Sequence, residues 1–114
     1  MDAALSVRVD LPGGGRFGPG KAALLTAIDA EGSVAAAARS LEMSYPRALR
    51  LVEDLNALFG APLIETFHGG AKRGGARLTQ TGAAMLATYG ALCEKAEAAT
   101  RPERKTILDA AKPA

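Results

Sequence analysis

Apolar and polar positions follow two different periods along this chain. Between Leu5 and Leu11 every second residue is apolar, a spacing that predicts a half-buried strand. Further on, apolar residues recur three and four positions apart, which predicts helices at about 19–31, 34–41 and 44–59. The chain is therefore expected to begin with a strand and to continue as three consecutive helices.

The second and third predicted helices are separated by a very short break. Ala37 and Ala38 are small enough to let two helices cross at close range. Ser44 can cap the third helix by accepting from backbone N–H groups, and Pro46 suits its first turn, where a missing N–H costs little. Two short helices joined steeply through a tight turn form a helix-turn-helix, whose second helix fits the major groove of DNA.

A pair of strands is predicted after the third helix. Residues 63–67 favour a strand, the glycine-rich stretch 68–76 predicts a long hairpin loop, and Arg77 and Leu78 begin the return strand. We call residues 63–78 the wing, because a hairpin that follows a helix-turn-helix makes a winged domain. The N-terminal strand is expected to join the wing sheet, since a lone two-stranded hairpin is marginal in water.

The last helix is predicted to run from Thr79 to about Ala99, where Arg101 and Pro102 end it. It carries an apolar stripe that is wider than contact with one small domain needs, so we expect a two-fold homodimer through it. The stripe consists of Met85, Leu86, Tyr89, Leu92, Cys93 and Ala96. The alternative is that the stripe packs entirely against the first helix and the N-terminal strand of its own chain.

The expected fold class is mainly α with a small β-sheet, a winged helix-turn-helix with a long C-terminal dimerisation helix. One domain is predicted at residues 1–99, with the dimerisation helix at about 79–99. Residues 100–114 are predicted to be a C-terminal tail that is frayed or a short helix.

Composition excludes several classes of function. Cys93 is the one cysteine of the 114 residues, so it cannot form an internal disulfide and indicates a reducing, cytoplasmic location. The chain has one cysteine and one histidine, too few for a structural zinc site, so no zinc site is expected. No cofactor is expected either. The chain has no apolar run long enough to span a membrane and no signal peptide, so no membrane partner is expected.

The net charge of +2 is weak evidence, but its distribution says more. The wing carries basic residues and no acidic ones after Glu65: Lys72, Arg73 and Arg77. A basic, glycine-rich loop of this kind is suited to following DNA phosphates. The alternatives are that the loop is simply solvated and that Arg77 pairs with Glu65 instead.

The third helix, 44–59, is the expected recognition helix. Arg47 and Arg50 lie one turn apart, opposite the stripe of Ala48, Val52 and Leu55, so they can face DNA together. Further candidate DNA contacts lie on this helix and the one before it: Ser33, Arg39, Ser44 and Tyr45. The alternatives are that Ser33 and Arg39 are a plain cap and a solvated arginine, and that Tyr45 packs on the wing.

Together these pieces resemble a known family. From about Gly20 to Tyr89 the chain resembles the winged DNA-binding domain of ModE-type, molybdenum-responsive regulators, which are themselves similar to LysR-type regulators. The matching pieces are Gly32-Ser33-Val34, Ala37-Ala38 to Leu41, Met43-Ser44-Tyr45, Val52 with Leu55-Asn56, Pro62 to Glu65, Gly69 to Gly75, and Leu78-Thr79 with Gly82. Asn56 and the paired glycines of the wing loop favour the ModE type over the LysR type.

The chain departs from this pattern in two places. Many helix-turn-helix sequences have glycine where this chain has Glu42, a turn position that often requires a positive φ. Full-length ModE-type members also carry a C-terminal molybdate-binding region. The chain ends about 15 residues after the predicted last helix, so no molybdate site is expected in it.

The resulting expectation is a DNA-binding transcriptional regulator that binds double-stranded DNA as a homodimer. An enzyme is not expected, because no nucleophile or carboxylate pair has an evident partner. The glycines at 13, 15 and 18 match a dinucleotide-binding fingerprint only formally, since a helix follows where a second strand and an acidic residue are needed. A small-molecule sensor would need a pocket that the sequence does not reveal.

A protein-interaction module that has lost sequence-specific DNA binding is the alternative from a different class. Four acidic residues near the basic ones keep it open: Glu42, Glu53, Asp54 and Glu65.

Overall fold

The computed structural model describes residues 4–68 and 74–113. Its helices are α1 Pro19–Glu31, α2 Val34–Ser40, α3 Tyr45–Leu58 and α4 Gln80–Ala110. Its strands are β1 Val9–Asp10, β2 Arg16–Phe17, β3 Ile64–Phe67 and β4 Gly75–Leu78. This order confirms the predicted fold class, a mainly helical winged domain with a long last helix.

Three hydroxyl side chains begin helices as the sequence predicts. Ser33 Oγ accepts from Ala36 N at 3.0 Å at the start of α2, and Ser44 Oγ accepts from Arg47 N at 3.2 Å at the start of α3. Thr79 caps α4 in the same way. Each hydroxyl satisfies a backbone N–H that has no partner within its own helix, so the helix starts are fixed by local chemistry.

The turn between α2 and α3 contains a positive φ at the position where many helix-turn-helix sequences have glycine. Glu42 has a φ of 54°, the one non-glycine residue of the described chain with a positive value. The turn is closed by Met43 N, which donates to Ala38 O at 3.0 Å. The two helices can meet closely there because Ala37 and Ala38 are both buried and have no bulk beyond Cβ.

The core lies among the first three helices and the base of the wing. Leu24, Leu25 and Ile28 supply the buried face of α1, and Leu63 closes the core from the wing. The predicted stripe of α3 is buried in full: Ala48, Val52 and Leu55. The spacing of these apolar residues therefore determines which face of α3 is left exposed to solvent.

The expectation that the N-terminal strand joins the wing sheet is wrong. β1 pairs antiparallel with β2, and β3 pairs separately with β4, in two two-stranded sheets of the described residues. The physical reason is a local reversal: Gly13 and Gly14 have φ values of 89° and 96°, and Leu11 N donates to Gly15 O at 2.7 Å. Glycine allows this tight turn, so the strand finds its partner within its own hairpin.

The predicted end of the last helix at about Ala99 is also wrong, because α4 continues through Pro102 to Ala110. Proline removes one backbone donor, but side chains bond to carbonyls of the preceding turn. Arg104 donates to Glu97 O at 2.7 Å and to Thr100 Oγ1 at 3.1 Å, while Thr100 Oγ1 donates to the Ala96 carbonyl. Most of the predicted tail is therefore helical.

Candidate nucleic-acid interface

The polar face of α3 presents two free cations. Arg47 and Arg50 are exposed, one turn apart, on the side away from the buried stripe. Neither makes an ion pair with any residue that the structure describes. An exposed guanidinium with no carboxylate partner keeps its donors available for a phosphate or for a guanine edge.

The N-terminus of α3 borders a cleft of about 200 Å³ that separates the helix from the wing. Tyr45, which is 49% exposed, and Leu49 line its helical side. Thr66 and Phe67 line its wing side. Tyr45 therefore faces the space between the two elements, while the Ser44 hydroxyl is engaged as the cap.

The two candidates on α2 lie at opposite ends of that helix. Ser33 caps its start and lines the cleft, so the structure brings Ser33 together with Tyr45. Arg39 lies in the last turn of α2 and is exposed. It does not line the cleft.

Arg77 is held in place by contacts with two other residues of the wing. Arg77 Nε lies 3.2 Å from Glu65 Oε2, and Arg77 Cζ lies 5.5 Å from the centre of the Phe67 ring. The pairing of Arg77 with Glu65 that the sequence left open as an alternative is confirmed. Lys72 and Arg73 lie outside the described residues, so their predicted phosphate contacts remain predictions.

Sequence reasoning missed Phe67 as a surface residue. Phe67 is 44% exposed, has the Arg77 guanidinium over its ring and lines the cleft beside Thr66. The alternation along β3 gave a signal, because it places Phe67 on the same side as Glu65 and opposite the buried Ile64. An aromatic residue on the charged side of a strand is a candidate surface contact. His68 also lines this cleft.

The apolar stripe of α4 is divided between two environments. Its first part, Met85, Leu86 and Tyr89, packs against the core of the same chain. Leu92 is 39% exposed, and Cys93 and Ala96 are half-buried. The intrachain packing that the sequence kept as an alternative thus holds for half of the stripe, and the other half lies outside the core.

Tyr89 joins α4 to the N-terminal segment. Its ring stacks on Phe17 with centroids 5.1 Å apart, and its hydroxyl donates to Val7 O at 2.6 Å. Burial raises the pKa of Tyr89, and both a hydrogen bond with the Cys93 side chain and the negative charge of the Cys93 thiolate act in the same direction. The phenol therefore remains a protonated donor at neutral pH.

Among residues 4–68 and 74–113, no group of three or more His, Cys, Asp or Glu side chains is placed so that it could hold a metal ion. Within the same part of the chain, every helix is too short or too polar to cross a bilayer.

The chain matches known proteins over the segment that carries these features. Residues 21–83 match the family model of bacterial regulatory helix-turn-helix proteins of the lysR family. The molybdenum-pterin-binding protein MopB of Rhodobacter capsulatus is 43% identical over 79 residues, which are 69% of this chain and 29% of MopB. MopA of the same organism is 42% identical over 90 residues, 79% of this chain and 33% of MopA.

Other relatives extend these similarities. The molybdenum transport protein ModE of Azotobacter vinelandii is 39% identical over 69 residues, 60% of this chain and 26% of that protein. The chain thus spans a third or less of the length of these relatives. The solved CbnR_DBD-DNA complex has a TM-score of 0.60 and 29% identity, and the likeness covers 76% of this chain and 94% of that one.

These findings confirm the resemblance to ModE-type and LysR-type regulators. The family match spans more than half of the chain and includes α2, the turn, α3 and the wing. The chain belongs to the LysR family of bacterial regulatory helix-turn-helix proteins.

Proposed function

We propose that this chain is a transcriptional regulator that binds double-stranded DNA, with α3 in the major groove and the wing on neighbouring phosphates. The observation that carries the proposal is the exposed pair of Arg47 and Arg50, which have no described ion-pair partner and lie opposite the buried stripe of α3. In helix-turn-helix proteins the corresponding face of the second helix meets the base edges.

The cleft between α3 and the wing supports the same arrangement. A DNA strand that passes from a groove occupied by α3 to the wing has to cross this space. Ser33, Tyr45 and Phe67 line the cleft and could contact the sugar-phosphate backbone there. The similar CbnR_DBD chain was solved in complex with DNA, which adds support from a relative. Lys72 and Arg73 would extend the contact along the wing.

We also propose that the chain forms a homodimer through α4. The part of the stripe outside the core could pack on a second copy: the exposed Leu92 with the half-buried Cys93 and Ala96. Two copies would set two recognition helices about 34 Å apart, one turn of DNA, and would favour an inverted-repeat site. Leu92→Glu should divide such a dimer, because two carboxylates would face each other in an apolar contact. Sedimentation at micromolar concentration measures this.

Molybdenum binding is not part of this proposal. MopA and MopB are named for molybdenum-pterin binding, but this chain matches a third or less of each. Residues 21–83, which match the lysR family model, include the helix-turn-helix, and we assign this segment DNA contact alone.

The test is fluorescence anisotropy with a labelled duplex at several salt concentrations. Wild-type protein should bind with a negative salt slope, since phosphate contacts release counterions. Arg47→Ala with Arg50→Ala should weaken binding by at least about tenfold, because each base-reading arginine contributes on the order of 1–3 kcal/mol. Arg101→Ala, an exposed cation on α4, is the matched control and should have little effect.

A protein-interaction module remains the second candidate, because Glu65 already pairs with Arg77 of the wing. Absence of salt-dependent binding by the wild-type chain would reject the DNA proposal and favour this alternative.

A further inference from the structure

The outer edge of β3 is bonded to a side chain of α3. Asn56 lies in the last turn of that helix. Its Oδ1 accepts from Leu63 N at 2.9 Å and from Ile64 N at 3.0 Å. Its Nδ2 donates to Ile64 O at 3.0 Å. One amide therefore bonds both backbone groups of Ile64, as a residue of a neighbouring strand would.

The opposite edge of the same strand is paired conventionally. Ile64 is in register with Leu78 of β4, and Leu63 O accepts from Thr79 N at 2.9 Å. The base of the wing is thus held on one side by β4 and on the other by Asn56. The side chain occupies the position that a third strand would take in a larger sheet.

Apolar packing between α3 and the base of the wing does not fix the orientation of β3 relative to α3 as these hydrogen bonds do. Leu55 of α3 and Leu63 at the wing base are fully buried and hold the two elements together. Hydrophobic burial is non-directional, whereas hydrogen bonds weaken steeply when they are misaligned. Three bonds to one planar amide restrict how β3 can tilt relative to α3.

We propose that Asn56 is a positioning residue, which fixes the wing at one angle to the recognition helix so that both reach DNA together. The role in DNA contact rests on the proposed function. Asn56 shares α3 with Arg47 and Arg50, so the helix that presents the arginines also orients the wing. A wing without this connection would remain attached but would sample several angles.

The first test needs no DNA. Spin labels at the exposed positions 53 and 66, in a Cys93→Ala background, report the distance between α3 and the wing. The distance distribution should be narrow in the wild type and broad in Asn56→Leu. Val52→Ala is the matched control, because it truncates a buried side chain one turn away and leaves the amide in place; its distribution should stay narrow.

A narrow, unshifted distribution in folded Asn56→Leu would overturn the proposal, and circular dichroism confirms that the variant is folded. Should Asn56→Leu fail to fold, Asn56→Asp supplies the same test, because it keeps the acceptor and loses the donor to Ile64 O. Its distribution should also broaden, and an unchanged one would be equally contrary.

The second test separates positioning from stability. Arg77→Ala is introduced into the wild type and into Asn56→Leu, and DNA affinity is measured where both backgrounds are folded. The loss caused by Arg77→Ala should shrink toward no effect in Asn56→Leu, since a misplaced wing has no contact to lose. Equal losses in the two backgrounds would overturn the proposal. If the wild type binds no DNA, the proposed function fails, and the distance distributions still decide the role of Asn56.

Discussion

The Glu65 carboxylate lies 3.2 Å from the Arg77 guanidinium, and the two residues occupy paired positions on the strands of the wing. Both side chains are more than half exposed, so the pair contributes little to folding. The ion pair instead affects the proposed binding of DNA by the wing. Arg77 has to share its charge between Glu65 and any phosphate that approaches the wing.

Glu65→Gln should therefore increase affinity for DNA by about two- to fivefold at low salt, because it removes one competing and repulsive carboxylate. Anisotropy titration measures the change, which should diminish as salt is raised. Glu103→Gln, on the far part of α4, removes the same charge away from the wing and serves as the control. Equal gains in the two variants would show that only net charge matters.

Glu42→Gly should stabilise the fold by about 0.5–1 kcal/mol, because glycine adopts the φ of 54° without the steric cost that a side chain incurs. Urea denaturation measures the free energy of unfolding. Glu53→Gly is the control: it removes the same charge from an exposed position inside α3 and should destabilise by about 1 kcal/mol. A loss of stability in Glu42→Gly would mean that the Glu42 side chain makes a useful contact.

Substitution by alanine should change the stability of the fold in opposite directions at two glycines of α4. A Cβ at Gly82 would overlap the Leu63 carbonyl at the base of the wing, whereas a Cβ at Gly90 would meet open space. Gly82→Ala should destabilise by about 1–3 kcal/mol, since backbone has to shift, and Gly90→Ala should stabilise by about 0.5–1 kcal/mol. Thermal unfolding of both variants checks the pair, and a tolerated Gly82→Ala would contradict the close approach of α4 to the wing.

Tyr89→Phe should cost about 0.5–1.5 kcal/mol at neutral pH, because it removes the hydrogen bond to Val7 O and keeps the ring on Phe17. The pKa of Tyr89 is raised in the folded state above its ordinary value of 10.0. The folded protein therefore retains a proton that the unfolded chain loses, and this part of the stability falls as the pH rises past 10.

The difference in unfolding free energy between the wild type and Tyr89→Phe should accordingly shrink as the pH is raised from 8 through that range. Urea denaturation at each pH follows it. A difference that stays constant would show that the phenol ionises as easily in the folded protein as in the unfolded one, and a difference that grows would show that it ionises more easily there.

Local rules predicted the helices of this fold well. Ser33, Ser44 and Thr79 begin helices because a hydroxyl can serve a free backbone N–H, and this needs only nearby residues. The buried stripe of α3 follows from its period, and that stripe identifies Arg47 and Arg50 as its exposed side.

Longer-range choices could not be predicted in the same way. The sequence predicts the wing as the partner of the N-terminal strand, whereas the observed pairing with β2 depends on the reversal at Gly13 and Gly14 rather than on the strand itself. Pro102 is a helix breaker by local rules, but α4 continues through it to Ala110, and the Arg104 side chain bonds to Glu97 O, seven residues away. The role of Asn56 likewise depends on β3 lying beside it, which its own segment does not reveal.

Simultaneous contact of α3 and the wing with DNA can be observed residue by residue, from amide chemical-shift changes on adding a short duplex to ¹⁵N-labelled protein. We expect the largest changes at residues 44–51, at the start of α2 and in the described strands of the wing, with little change at 97–110. Changes concentrated on α1 or the far part of α4, or no changes at a protein and DNA concentration of about 100 μM, where even non-specific binding should be detectable, would contradict it.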